Sequence, residues 1–168
     1  NTMSLYEVAV PAMKRTLTSL AAILAKAEAF AEEKQIDPSV LINARLAPDM
    51  FPLKRQIQIA SDSARRGTAQ LAGIEAPVME DTEETFAELQ TRISATLRFL
   101  ESLTPAQFEG AETKIITLPV GGAELKFDGL TYLMSYVMGN FSFHSVTAYN
   151  ILRHNGVVLG KMDYLGKP

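Results

Sequence analysis

The sequence contains no cysteine and no tryptophan, and only 2 of its 168 residues are histidine. The absence of cysteine excludes disulfides, thiolate metal ligands and thiol nucleophiles, and it is compatible with a reducing compartment. Any catalysis or metal binding must therefore use other side chains. The amino terminus also lacks the charged-then-apolar pattern of a secretory signal, so we expect a cytoplasmic protein.

The chain also lacks an excess of positive charge. Its 16 basic and 19 acidic residues give a formal net charge of −3, which creates no positive field for a phosphate backbone. No uninterrupted apolar run approaches the roughly 20 residues that a membrane-spanning helix needs. We therefore expect neither nucleic acid nor a membrane as a partner. Phosphate-binding loops, dinucleotide fingerprints, nucleophile elbows and zinc-protease motifs are missing too.

What the chain does have is the composition of an ordinary globular domain. Hydrophobic residues make up 47% and charged residues 21%, far from disordered or fibrous compositions. A chain of this length is long enough to bury one substantial core. We predict a single domain over residues 1–168.

Apolar residues at three- and four-residue spacing predict four long helices. They cover about residues 4–33, 52–72, 81–102 and 130–153. The first contains Pro11, which would start the regular helix or kink it. The second has small residues at positions 60, 64 and 67, which would let another helix approach closely.

The connections between these helices also have recognisable patterns. Asp81 and Glu84 resemble a capping box that would open the third helix. Residues 113–127 alternate around Gly121-Gly122 and predict a β-hairpin. Residues 157–168 are expected to pack back on the helices. Together the elements predict an all-α (mainly) four-helix bundle with a small β-hairpin between helices three and four.

The fourth helix is the most informative element, because polar residues interrupt its apolar face. Asn140, His144 and Thr147 recur at helical spacing on that face. A buried polar group without a partner costs about 1–3 kcal/mol, so these residues require hydrogen bonds, water or a ligand. The apolar members of the same face are Leu133, Val137, Phe141, Ala148 and Ile151.

His144 is the first candidate for chemistry. A neutral imidazole can accept a proton or bind a metal. The competing interpretation is a hydrogen-bonded core residue, which is the commoner role for a single histidine on a core face. His154 lies ten residues on, about 15 Å along the helix axis, so the two imidazoles cannot share an ion within one chain.

Several polar residues could orient His144 or line a pocket around it. Asn140 and Thr147 flank it at helical spacing. On the second helix, Gln56 faces the interior edge, whereas Gln58 and Asp62 are expected to point away.

Two further residues complete the set of predicted pocket residues. Asp49 precedes the second helix, where capping is the simpler role and orientation of His144 the alternative. Tyr149 is a polar-ended candidate on the fourth helix.

Several segments of the chain resemble one known protein family. They are residues 45–53 (RLAPDMFPL), residues 118–121 (LPVG) and residues 140–157, with Gly160-Lys161 and Asp163 after them. This combination resembles an uncharacterised domain-of-unknown-function family of the DinB/YfiT-like superfamily of four-helix proteins. The resemblance covers essentially the whole chain.

The superfamily resemblance implies a nickel or zinc site, made by one histidine on the second helix and a His-x-x-x-His pair on the fourth. Some superfamily members are thiol-dependent S-transferases or isomerases. Here His144 matches the second histidine of the pair, and the first falls on Asn140. The second-helix histidine falls near Gln56, or on Gln58 under a shifted alignment. Amides bind transition metals poorly beside imidazole, so this metal site is degenerate.

The sequence therefore favours a DinB-like protein with a degenerate metal site and a small-molecule pocket around His144, without a cofactor. One alternative is a divalent-metal enzyme that uses nickel or zinc and resembles the thiol S-transferases, with His144 as a weak ligand. The other is a non-catalytic binding or structural dimer. The resemblance implies a homodimer in each case, and whether the chain is an enzyme stays open.

Overall fold

The computed structural model describes residues 3–167. The first half of the chain forms helices, and each boundary has a local cause. Ser4 caps the first helix by accepting a hydrogen bond from the Tyr6 backbone, and Gly73 ends the third in the left-handed conformation at φ 70°, which glycine adopts without strain. The helices are α1 (Leu5–Lys34), α2 (Pro38–Ile42), α3 (Leu53–Ala72) and α4 (Phe86–Ser102).

Helix α4 begins later than the sequence pattern predicts. Its N-cap is Thr85, whose hydroxyl accepts a hydrogen bond from the Glu88 backbone at 3.1 Å. Glu88 in turn accepts from the Thr85 hydroxyl and the Glu84 backbone. The prediction of a capping box at Asp81 and Glu84 is therefore wrong, because Thr85 and Glu88, each four residues further along the chain, cap the helix instead.

A hairpin connects α4 to the last long helix, after two short 3₁₀ turns. Strands β1 (Ile115–Val120) and β2 (Ala123–Asp128) pair antiparallel, with Ile115 opposite Asp128. Gly121 and Gly122 make the turn with φ angles of 56° and 81°, as a two-residue hairpin requires. The predicted hairpin is confirmed.

The last part of the chain is helical from the end of β2 onward. The predicted fourth helix is confirmed in extent but is not uniform, because a stretch with wider, π-helical turns interrupts it near its start. A short helix then packs its residues against α1, which confirms that the chain end folds back. The elements are α5 (Gly129–Thr131), the π segment (Tyr132–Val137), α6 (Met138–His154) and α7 (Lys161–Leu165).

The four long helices share one core. Helices α1 and α3 each contact both α4 and α6, so every long helix has two long neighbours. Each contributes fully buried apolar side chains, such as Leu20, Ile57, Ile93 and Ile151. The fold is mainly α, as predicted, and the burial follows the three- and four-residue spacing.

Helix α1 is unusually long and apolar. Its 30 residues include an 18-residue window with a mean hydropathy of 1.3, which by length and composition alone suffices to cross a membrane. The helix is nevertheless not an uninterrupted apolar run, because Lys14, Arg15 and Lys26 lie within it. Its apolar side chains, Leu17 and Leu24 among them, are buried in the core that the helices share.

Candidate functional site

A cavity of about 480 Å³ lies between α3, the π segment and α6. Helix α3 contributes Arg55 and Arg66 to its wall, the π segment contributes Tyr132 and Tyr136, and α6 contributes His144. The cavity is open to solvent, and its volume is in the range of small-molecule sites. Polar and aromatic groups from three elements therefore converge on one space.

His144 is held by a hydrogen bond across the two central helices. Its Nδ1 lies 2.6 Å from Oε1 of Gln56. The amide nitrogen of Gln56 donates to the carbonyl oxygen of Phe51 at 3.0 Å. Because that carbonyl can only accept, the amide orientation is fixed and Oε1 must accept from His144. The proton of a neutral His144 therefore resides on Nδ1.

This arrangement leaves the second ring nitrogen of His144 with a free lone pair. His144 is half-buried, and its Nε2 forms no hydrogen bond to another described residue. Burial lowers the pKa of His144 below its ordinary value of 6.5, and the nearby Arg55 charge lowers it further. The imidazole is therefore neutral at pH 7, with Nε2 as an acceptor.

Tyrosines of the π segment provide hydrogen-bond donors in the cavity wall. Tyr132 is only 3% exposed, and burial raises its pKa to about 12, with a smaller contribution from Tyr136. Its hydroxyl therefore stays protonated and can donate a hydrogen bond. The rings of Tyr132 and Tyr136 stack with their centroids 5.8 Å apart, so the two side chains form one rigid aromatic surface.

An ionic cluster lies behind the cavity, between α3 and α4. Oδ1 of Asp62 lies 3.0 Å from Nη2 of Arg65 and 2.7 Å from Nη2 of Arg92. Arg92 also contacts Glu83 at 2.6 Å and Asp81 at 3.0 Å. The side chains of Arg65 and Arg92 are 1% and 2% exposed, so these ion pairs are shielded from water.

The cluster controls the charge state of its arginines. Burial opposes the charged form of Arg92, but the hydrogen bond that Arg92 donates to Glu83 and the Asp62 charge together raise its pKa. Burial lowers the pKa of Arg65, and Asp62 only partly offsets that effect. The pKa values of both guanidinium groups are so far above neutral pH that both groups stay charged.

The predicted partners of His144 on its own helix do not contact it. The Asn140 amide donates to the Tyr136 carbonyl at 2.9 Å, and the Thr147 hydroxyl donates to the Phe143 carbonyl at 2.7 Å. Both residues satisfy their hydrogen bonds within their own helix, as hydroxyls and amides commonly do. Asn140 still lines the cavity, whereas Thr147 is buried away from it.

Two other predicted residues lie outside the cavity wall. Asp49 is exposed in the turn before α3, and the N-cap of that helix is Pro52, without a side-chain cap bond. The prediction that Asp49 caps the helix is therefore wrong, because the N-cap position lies three residues further along the chain, at Pro52. Tyr149 packs partly buried against the core.

Helical spacing misassigned the other side of α3. Gln58 is 3% exposed and donates to Glu83 at 3.5 Å, and Asp62 joins the ionic cluster. The expectation that both point away from the interior is wrong, because α4 covers this face of α3 as well. The partners Arg65 and Arg92 were missed too, since charged residues at helical spacing normally indicate solvent.

The donor set of the cavity does not match a transition-metal site. Among residues 3–167, no group of three or more histidine and acidic side chains is placed to hold a metal ion. Where the superfamily resemblance implies three imidazoles, one imidazole and two amides are present. Both polar atoms of Gln56 are used in protein hydrogen bonds, and the amide nitrogen of Asn140 donates to the Tyr136 carbonyl. These residues do not fit nickel or zinc.

Comparison with solved structures defines the class of protein. The chain is similar to the crystal structure of a DinB family member protein from Shewanella denitrificans, with 46% sequence identity and a TM-score of 0.92. The similarity covers 98% of this chain and 93% of that one. The fold is thus that of the DinB-like, mainly helical proteins.

The family assignment follows from the sequence match. Residues 5–165 match the family described as domain of unknown function (DUF1993), and the chain belongs to this family. No curated protein matches the chain. The sequence-based expectation of an uncharacterised DinB-like family is confirmed.

Proposed function

We propose that this DinB-like protein binds a small organic molecule in the cavity beside α3 and α6, without a bound transition metal. In this proposal, neutral His144 presents Nε2 to the bound molecule as a hydrogen-bond acceptor or general base. The hydrogen bond between His144 and Gln56 at 2.6 Å carries the proposal, because it fixes the tautomer and directs the lone pair away from the protein.

The lowered pKa of His144 supports this role. A general base must be unprotonated at the working pH and within reach of the proton that it removes. Burial and Arg55 keep the imidazole neutral, and the cavity brings a ligand beside it. The Tyr132 hydroxyl, which belongs to the wall of the same cavity, would serve as a donor to an oxygen of the ligand.

A degenerate metal site is part of the same proposal. Gln56 occupies the position where the superfamily resemblance implies a histidine, and here it binds Nδ1 of His144 instead of a metal. We infer that an amide-for-imidazole exchange converted a metal ligand into an orienting partner. No cofactor is required for the role proposed for His144.

Metal analysis after chelator-free purification tests this proposal. The protein is incubated with zinc or nickel, desalted and subjected to elemental analysis, beside the variants His144→Ala and His154→Ala. His154 is exposed at the end of α6, so its loss controls for surface imidazole binding. We expect substoichiometric metal in all three proteins.

A two-dimensional NMR spectrum of the imidazole nitrogens completes the test. The expected spectrum shows the Nδ1-protonated tautomer of His144 and a pKa below 6.5. Near-stoichiometric metal that is lost only in His144→Ala would refute the proposal and favour a metal-dependent enzyme. An Nε2-protonated tautomer would refute the role of His144 as an acceptor.

A further inference from the structure

The ionic cluster behind the cavity contains one more cation than anion. Its members are connected through pairs of side chains no more than 4.0 Å apart, and they comprise four arginines and three carboxylates. They are Arg55, Arg65, Arg66, Arg92, Asp62, Asp81 and Glu83.

The surplus positive charge resides mainly on Arg66. Its nearest carboxylate oxygen within the cluster is Oδ2 of Asp62 at 3.9 Å, and its side chain is 67% exposed. The other oxygen of Asp62 is shared by two buried guanidinium groups at 2.7 and 3.0 Å. The negative charge of Asp62 is thus largely neutralised before Arg66 is reached, since coulombic attraction falls with distance and with exposure to water.

Arg66 is also placed to act on a ligand. It lines the candidate cavity, and it borders a second groove of about 510 Å³ that includes Glu75 without forming an ion pair with it. Arg55 lines the cavity about three helical turns away on α3, but its guanidinium already contacts Asp81 at 2.9 Å and faces the Phe51 ring. Of the two arginines in the cavity wall, Arg66 therefore has the guanidinium N–H donors that are less engaged by carboxylates.

The rest of the wall suits a molecule with an apolar body. The stacked rings of Tyr132 and Tyr136 adjoin Val137 and Leu118 along the cavity. The Tyr132 hydroxyl adds an uncharged donor, because its pKa of about 12 keeps it protonated. Guanidinium and phenol groups are both donors, so this side of the cavity favours an acceptor with negative charge.

We propose that the cavity is selective for small organic anions, in which a carboxylate or phosphate group binds Arg66 and an aromatic or apolar body lies on Tyr132 and Tyr136. This inference rests on the proposed function, since it names the class of molecule that the same cavity binds. A guanidinium group binds either oxyanion in a two-pronged geometry. Arg66 and His144 both line the cavity in which the ligand binds.

Three matched probes test the inference by NMR titration of the wild-type chain. Benzoate and phenyl phosphate carry the two oxyanions on the same ring, and benzamide is the uncharged analogue of benzoate. We expect both anions to shift cavity resonances, and benzamide to bind at least fivefold more weakly than benzoate.

Two arginine variants provide the site-specific control. Arg66→Gln should weaken binding of the anions about fivefold or more, as loss of a charge-assisted hydrogen bond predicts. Arg98→Gln removes the same charge from an exposed position on α4 outside the cavity wall, and it should leave binding unchanged. Since Arg66 is exposed, both variants should fold normally, as circular dichroism will verify.

Other outcomes would overturn the inference. If benzamide binds in the cavity as tightly as benzoate, the cavity is a ligand site without charge selectivity, and the proposed function survives alone. If Arg66→Gln and Arg98→Gln weaken binding equally, the anions respond only to net charge. If none of the probes shifts a cavity resonance, the anion inference fails, whereas the metal analysis still decides the role of His144. A stronger response to phenyl phosphate than to benzoate, or the reverse, identifies the preferred oxyanion.

Discussion

At the scale of single residues, Gln56 decides what His144 can do. Its amide nitrogen is held by the Phe51 carbonyl, so its oxygen faces Nδ1 of the imidazole. A side chain that could rotate freely would allow either tautomer. The fixed amide therefore selects the tautomer with Nε2 free, much as an orienting carboxylate does in other histidine sites, but without adding charge.

The exchange Gln56→Glu should reverse the pKa shift of His144. In the wild type, burial and Arg55 lower the pKa of His144. As the pH falls, this imidazole is therefore protonated at a higher pH in the unfolded chain than in the folded chain. The contribution of His144 to stability is then present above about pH 6.5 and is lost as the pH falls through the folded pKa. A carboxylate at position 56 should raise the pKa of His144 in the folded state above 6.5. The contribution of His144 to stability would then be present at low pH and would be lost as the pH rises through that folded-state pKa.

NMR titration of the imidazole measures this shift directly, and Gln70→Glu is the matched control. Gln70 also lines the cavity but is not bonded to the imidazole. A rise in the pKa of equal size in both variants would contradict the role of the direct hydrogen bond. Stability alone is not a sufficient measurement, because the glutamate would also place an oxygen against the Phe51 carbonyl.

The sequence predicts the inward direction of Gln56 better than it predicts the contacts of the polar residues on the fourth helix. The spacing on the second helix placed Gln56 inward, and it is 1% exposed beside His144. Asn140 and Thr147 lie at the expected helical spacing from His144 but bond their own backbone. Helical spacing specifies a direction around one axis and contains no information on which of several acceptors a side chain chooses.

At the scale of elements, the crossing of α3 and the π segment shapes the cavity. Gly67 lies on α3 where a Cβ atom would be only 2.5 Å from Cγ1 of Val137. A Cβ atom essentially never lies this close to a non-bonded carbon, so a larger residue at position 67 would force the Val137 side chain or the helix backbone to shift. The close approach brings Tyr132 and Tyr136 to the cavity wall, and π-helical turns often occur at functional sites.

The substitution Gly67→Ala should push the π segment away from α3. We expect a loss of about 1–3 kcal/mol in the free energy of unfolding, as for overpacked cores, together with shifted resonances for the cavity tyrosines. Urea unfolding measures the first effect.

Gly139→Ala is the control for the glycine exchange itself. No atom lies within 4 Å of the Cβ that would be added there, and alanine favours the helix by up to about 1 kcal/mol. Gly139→Ala should therefore keep or raise stability. If Gly67→Ala is as stable as Gly139→Ala, the close crossing is not a constraint on the fold.

Helix positions were largely predictable, whereas helix irregularities were not. The spacing of apolar residues located α1, α3 and the hairpin within a few residues, and it also indicated the small residues at the crossing. The π segment went unnoticed because its apolar pattern is that of an ordinary helix. The start of α4 was misplaced because two capping sequences follow one another along the chain, and the second one, which begins at Thr85, caps the helix.

At the scale of the whole molecule, buried ion pairs join the helices in addition to the apolar core. The Asp62 carboxylate connects α3 to α4 through Arg92, which also binds Glu83 in the segment before α4. This arrangement could not be predicted from spacing, because its members come from two helices and a loop. Only the assembled fold shows that the two arginines are buried.

Replacement of Asp62 by asparagine should destabilise the whole domain. The change leaves the guanidinium groups of Arg65 and Arg92 without their shared carboxylate, and loss of one partner in a buried ion pair costs about 3 kcal/mol or more. Equilibrium urea unfolding is the measurement. Asp49→Asn, at an exposed position without an ion pair among the described residues, should change stability by less than about 0.5 kcal/mol. Similar losses in both variants would contradict a structural role of the cluster.

Because Gln56 is uncharged, it does little to prolong the residence time of a proton on His144. A carboxylate partner would attract an imidazolium cation and retain it, but an amide oxygen does so only weakly, and the Arg55 charge repels it. A proton taken up at Nε2 would therefore be short-lived near neutral pH and would return to the ligand or to water. Such a histidine is suited to rapid, reversible proton exchange and unsuited to holding a charged intermediate.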